Sequence, residues 1–75
     1  MTLSDAKIGA VYTVNSLELD RVTMSRLEAL GLTRGTNVKV LNRNRGGAVI
    51  LMVRGSRLAL GSRIAETIHM REASK

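Results

Sequence analysis

The hydrophobic pattern changes period several times along the chain, and each change marks an element. Gly9 breaks the opening stretch after Leu3 and Ile8. Val11, Tyr12, Thr13 and Val14 follow, a run whose β-branched and aromatic content favours a strand. Asn15-Ser16 interrupts the run, and Leu17 and Leu19 bridge to the next element. Asp20 is placed to cap a helix, because its carboxylate can accept from the first free amides. The helix is predicted over about residues 21–30, with Val22, Leu27 and Leu30 as one apolar stripe and Met24 at its edge.

A stop-and-turn device follows. Gly31 falls where a helix most cheaply enters the left-handed region, and Leu32 falls where an apolar side chain packs back on the last turn. Gly35 permits a second positive φ before the period becomes two. Val38 and Val40 then face one way, Lys39 and Leu41 the other. Residues 42–47, Asn-Arg-Asn-Arg-Gly-Gly, form a turn cluster. Residues 48–53 are apolar throughout, which reads as a strand covered on both faces. Arg54-Gly55-Ser56 makes a short hairpin connection into Arg57-Leu58-Ala59-Leu60. Ser62 is placed to cap a helical turn over Arg63-Ile64-Ala65-Glu66. Thr67 to Arg71 returns to period two with Ile68 and Met70 on one face, and Glu72 to Lys75 is expected to fray. The pattern predicts a mainly β fold. It is a small five-stranded barrel with one helix between strands one and two and a short helical turn before the last strand, a single domain over residues 1–75.

Composition narrows the function. Twelve Lys and Arg against six Asp and Glu give a formal charge of +6, which attracts nucleic acid, anionic lipid and acidic protein faces alike. Tyr12 is the sole aromatic residue. Single-strand readers and grooves for proline-rich ligands both rely on aromatic platforms, so neither surface is expected. The chain has no cysteine, and its single histidine, His69, alternates with Ile68 and Met70 and is expected to face solvent. The acidic residues are scattered singly, so no metal site, catalytic constellation or cofactor is expected. No phosphate-binding glycine loop ends in Gly-Lys-Ser or Gly-Lys-Thr. No segment is long and apolar enough to span a membrane, and the N-terminus lacks the order of a signal peptide, so a cytoplasmic location is expected.

Two surfaces stand out as binding candidates. Arg43, Arg45, Arg54 and Arg57 lie on two hairpins that could share one end or face, as a solvated surface or as a contact patch. One alternate set in residues 48–53, either Val49, Leu51 and Val53 or Ala48, Ile50 and Met52, must lie outside the interior. Met52 and Met24 are candidates for an exposed apolar patch, since methionine adapts to irregular partners. Met24, Arg26 and Arg34 flank the stop-and-turn device.

The order and spacing of these motifs resemble a known family. Leu27-x-x-Leu30-Gly31-Leu32-x-x-Gly35, Val38-x-Val40, Val53-Arg54-Gly55-x-x-Leu58-Ala59-Leu60 and Ala65-x-x-Ile68 are similar to the ferrous iron transport protein A (FeoA) family. The same domain ends metal-dependent repressors of the diphtheria toxin repressor type. The resemblance implies an SH3-like barrel in which Leu27, Leu30, Gly31, Leu32, Gly35, Gly55, Leu60 and Ala65 serve architecture. This chain has Arg34 where many members carry proline, and Gly61 where many carry a basic residue.

The resemblance further implies a non-enzymatic accessory that binds and modulates FeoB, the membrane iron transporter with a G-protein domain. On that reading the chain is held at the inner face of the membrane through its partner. Contact would fall on Met24, Arg26, Arg34, Met52, Arg54 and Arg57. Transition-metal binding is implied only at family level. Alternative readings are a basic barrel binding nucleic acid and a stand-alone relative of the repressor domain, with no helix-turn-helix expected before it. Self-association through the apolar strand 48–53 is compatible with the first reading.

Overall fold

A computed structural model describes residues 1–73 of the chain. A 3-10 turn at Leu3–Asp5 leads into β1 (Val11–Leu17), α1 (Arg21–Ala29), β2 (Asn37–Arg43), β3 (Val49–Val53), β4 (Ser56–Leu60), the four-residue helix α2 (Ser62–Ala65) and β5 (Ile68–Glu72). The strands form one antiparallel sheet in the order β4-β3-β2-β1-β5. With α1 inserted between β1 and β2, this is the small SH3-like fold.

Alternation sets the inner face. Val38 and Val40 on β2, Val49, Leu51 and Val53 on β3, and Ile68 and Met70 on β5 are all buried. Ile50 and Met52 form the outer set of β3, and both, with Ala48 just before the strand, are only half buried. Two bulges curve the sheet around this core. The register slips between Val14 and Ser16 on β1 and between Val40 and Asn42 on β2. An extra residue on one strand increases local twist and bends it.

The N-terminal segment closes the bottom of the core. Leu3 and Ala6 are fully buried, although neither belongs to a periodic pattern. The Arg43 guanidinium donates to the Ala6 carbonyl and ties this segment to β2. Tyr12 is buried, and its hydroxyl accepts from the Lys7 amide at 2.9 Å.

Several expectations are corrected. Asn15-Ser16 does not end β1; it is the bulge, and the strand continues to Leu17. The stripe on α1 is also different. Leu27 is buried, but Val22 and Leu30 are 67% and 54% exposed. Val22 precedes Leu27 by five residues, about 140° around a helix, so the two point apart. The inward face is instead Thr23, Met24 and Leu27, and Leu30 is the C-cap. Gly61, not Ser62, occupies the N-cap of α2, with no side-chain bond. β5 extends through Glu72, so the expected fraying does not begin there. Its remainder at residues 74–75 lies outside the described residues.

Candidate functional site

The site is built from the bulge of β1 and the two ends of α1. At the helix start, the Asp20 side chain accepts from the Thr23 amide at 3.1 Å and the Thr23 hydroxyl at 2.7 Å. These bonds, the hydroxyl first, hold the Asp20 carboxyl below the usual carboxylate range. At the helix end, the Leu32 amide donates to the Leu27 carbonyl at 2.8 Å and the Gly31 amide to the Glu28 carbonyl at 3.0 Å. That pair of bonds is a Schellman motif with Gly31 at φ +91°. The Gly31 carbonyl accepts from the Thr36 hydroxyl, and Gly35 turns the chain at φ +87° into β2.

This geometry drops Leu32 into the core and leaves a groove beside the helix. The groove has a volume of about 260 Å³ and is lined by Ser16, Leu17, Met24, Glu28, Leu32, Thr33 and Arg34. Leu32 is its buried floor, while Leu17 and Met24 are half-buried walls. Glu28 and Arg34 stand exposed at the rim with opposite charges. The volume lies just below the range for drug-sized ligands, and it suits an apolar side chain offered by a partner.

The other expected contact residues distribute differently. Met24 and Arg34 meet at the groove, whereas Arg26 is exposed and outside its lining. Met52 lies on the outer sheet face between Lys39 and Arg57. Arg54 does not simply project into solvent. Its Cδ lies 2.8 Å from the position that a Cβ on residue 31 would occupy, so its stem crosses Gly31 at the C-terminal end of α1. A cation there faces the negative end of the helix dipole. The four arginines on the hairpins do not converge. Arg43 and Arg45 sit at one end of β3, Arg54 and Arg57 at the other, because consecutive hairpins in an antiparallel meander turn at opposite ends.

The architectural set shows a similar division. Leu27, Leu32, Leu60 and Ala65 are buried, and Gly55 at φ +80° completes the β3–β4 turn. Leu30 is exposed, so its place is the helix cap rather than the core. His69 is corrected in detail. It is half buried, and its Nε2 lies 2.9 Å from a Glu18 carboxylate oxygen. Among the described residues, no three His, Asp or Glu side chains gather at one point. Sequence reasoning missed Leu17, whose role depends on the bulge, and Glu28, which lies outside the apolar stripe predicted for the helix. Met24 and Glu28, four apart on α1, carry the signal that could have placed them on one wall.

Known proteins share this fold. The FeoA domain matches residues 1–72. The chain belongs to the FeoA domain family. It is 34% identical over 71 residues to a candidate Fe(2+) transport protein A of Methanocaldococcus jannaschii, covering 95% of this chain and 85% of that one. The FeoA protein of Chlorobium tepidum superposes with a TM-score of 0.90 at 31% identity, over 99% of this chain and 71% of that structure. The manganese-activated repressor ScaR shares the fold, with a TM-score of 0.85 at 24% identity over 97% of this chain and 35% of that one. No helix among the described residues is long and apolar enough to cross a membrane.

Proposed function

We propose that this FeoA domain is a non-enzymatic accessory of ferrous iron transport. It docks on the cytoplasmic part of a FeoB-type transporter, at the inner face of the membrane, and modulates it. The observation that supports this most is the family match across residues 1–72. The groove beside α1 supplies a place for the contact. An apolar side chain of the partner enters against Leu17, Met24 and Leu32, and Glu28 and Arg34 meet polar groups around it. Central apolar anchors ringed by polar groups are the usual source of affinity at such contacts.

The test uses cells that lack the chain but retain the transporter. Wild-type chain is expected to restore ferrous iron uptake, and Met24→Glu is expected not to, because it places a charge on the groove wall. The variant must first show the melting transition of the wild type. Restoration by Met24→Glu at equal abundance would remove the groove from the account, and full uptake without the chain would remove the accessory role.

A further inference from the structure

The six acidic residues all lie before Ala29 or after Ala65. The meander β2–β3–β4 between them carries Lys39, Arg43, Arg45, Arg54 and Arg57 with no carboxylate. The registers Val11↔Lys39, Lys39↔Met52 and Met52↔Arg57 align one row across four strands. Val11, Lys39 and Arg57 in that row are exposed and Met52 is half buried, so the row lies on the outer face. The next row, Asn42↔Ile50↔Ala59, continues the same face with a half-buried Ile50 beside an exposed Ala59.

The two edges of the sheet differ. β5 is partly covered by the N-terminal segment, where the Met70 amide donates to the Met1 carbonyl at 2.8 Å and Thr2 bridges His69. Among the described residues, β4 pairs with β3 alone. Its hairpin has a two-residue loop, Arg54 at φ +50° and Gly55 at φ +80°, so the flanking pair Val53↔Ser56 exchanges hydrogen bonds. Alternation then makes Leu51↔Leu58 and Val49↔Leu60 bonded pairs as well. The amides and carbonyls of Arg57 and Ala59 therefore point away from the sheet, and among the described residues no other backbone group meets them.

We propose that the open edge of β4 is a strand-addition site for an extended acidic segment of a partner protein. Backbone bonds to Arg57 and Ala59 hold the incoming strand, and side chains alternate along it. One side falls beside Arg57, within reach of the unopposed positive field, and takes Asp or Glu. The other side falls beside half-buried Leu58 and takes an apolar residue. Two other occupants fit less well. A second copy pairing here brings its own Arg57 onto the same face and joins two chains of +6, a like-charge arrangement that destabilises paired strands. A phosphate backbone can accept from the amides but leaves the outward carbonyls without a donor. The site shares no residue with the groove, so it stands or falls independently of docking there.

The probe is a short capped peptide of alternating Glu and Val, titrated into the isotopically labelled full chain. Saturable amide shifts are expected at Arg57 and Ala59, with slowed hydrogen exchange at both. Arg57→Glu is expected to weaken binding by about tenfold or more and to favour the same peptide with Lys for Glu. N-methylating alternate peptide residues should abolish binding, as should Ala59→Pro, which removes an outward donor but no bond to β3. Should Ala59→Pro fail to fold, the methylated peptide reads the same bonds on the intact chain. The proposal is overturned if no saturable shift appears up to about 1 mM peptide. It is equally overturned if binding survives both Arg57→Glu and N-methylation. Stronger binding of an oligonucleotide or of phosphatidylserine vesicles, without protection of the two amides, would also replace it with plain charge attraction.

Discussion

At the scale of single residues, Gly31 is fixed by two independent demands. Its φ of +91° belongs to the left-handed region, where a Cβ crowds the backbone, and the Arg54 stem passes through the space a Cβ would fill. Gly31→Ala should cost about 1–2 kcal/mol from the backbone alone, with a smaller addition from displacing the flexible, exposed Arg54 stem. Gly31→Val should cost more than alanine, since β-branching resists positive φ. A double-mutant cycle with Arg54→Ala separates the terms, because only the steric part disappears when the Arg54 stem is gone. Chemical denaturation reads all four chains. Strict additivity would mean that the two side chains do not meet. The cycle also tests whether the arginine of the Val53-Arg54-Gly55 motif serves the helix end.

At the scale of elements, α1 is short, and its place depends on its ends more than on its apolar face. Asp20 caps the start, and its carboxyl is held below the usual range by the Thr23 hydroxyl and amide. A depressed folded value means that the ionised cap stabilises the fold above the unfolded value near 3.8, and that this contribution fades as pH falls through the folded value. Asp20→Ala should therefore melt below the wild type at neutral pH and approach it as the medium is acidified below that range. A gap that stays constant with pH would mean that the carboxylate charge plays no part.

The elements also show what a sequence can and cannot convey. Local chemistry places Asp20, Gly31, Leu32 and the turns at Gly35 and Gly55 correctly, because caps and positive-φ sites depend on neighbours a few residues away. Strand alternation gives the faces of β2 and β5, and it reduces β3 to two choices that only the assembled sheet decides. The bulge at Asn15 was not legible, since it is a property of pairing with β5 rather than of β1. Leu3 and Ala6 are buried in a segment that Arg43, far along the chain, ties to β2, and no local pattern announces that contact. The groove inherits that limit: Met24 and Arg34 are visible from sequence, but Leu17 joins them only because the bulge carries β1 onward.

At the scale of the whole molecule, the fold separates two kinds of surface. The groove beside α1 has an apolar floor and a rim of mixed charge, suited to one anchoring side chain. The meander has an outer face without carboxylates and an open backbone edge, suited to an extended strand. Residues 1–72 match the FeoA domain, and the groove beside α1 offers Leu17, Met24 and Leu32 as an apolar concavity open to a partner. The central claim is therefore that iron transport is assisted through protein contact at that groove. Titrating the cytoplasmic part of the FeoB-type transporter from the same organism into the isotopically labelled chain tests it most directly. The account predicts saturable amide shifts centred on Leu17, Met24 and Leu32 to Arg34, lost in Met24→Glu. An absence of saturable shifts, or shifts that leave those residues unmoved, would contradict it.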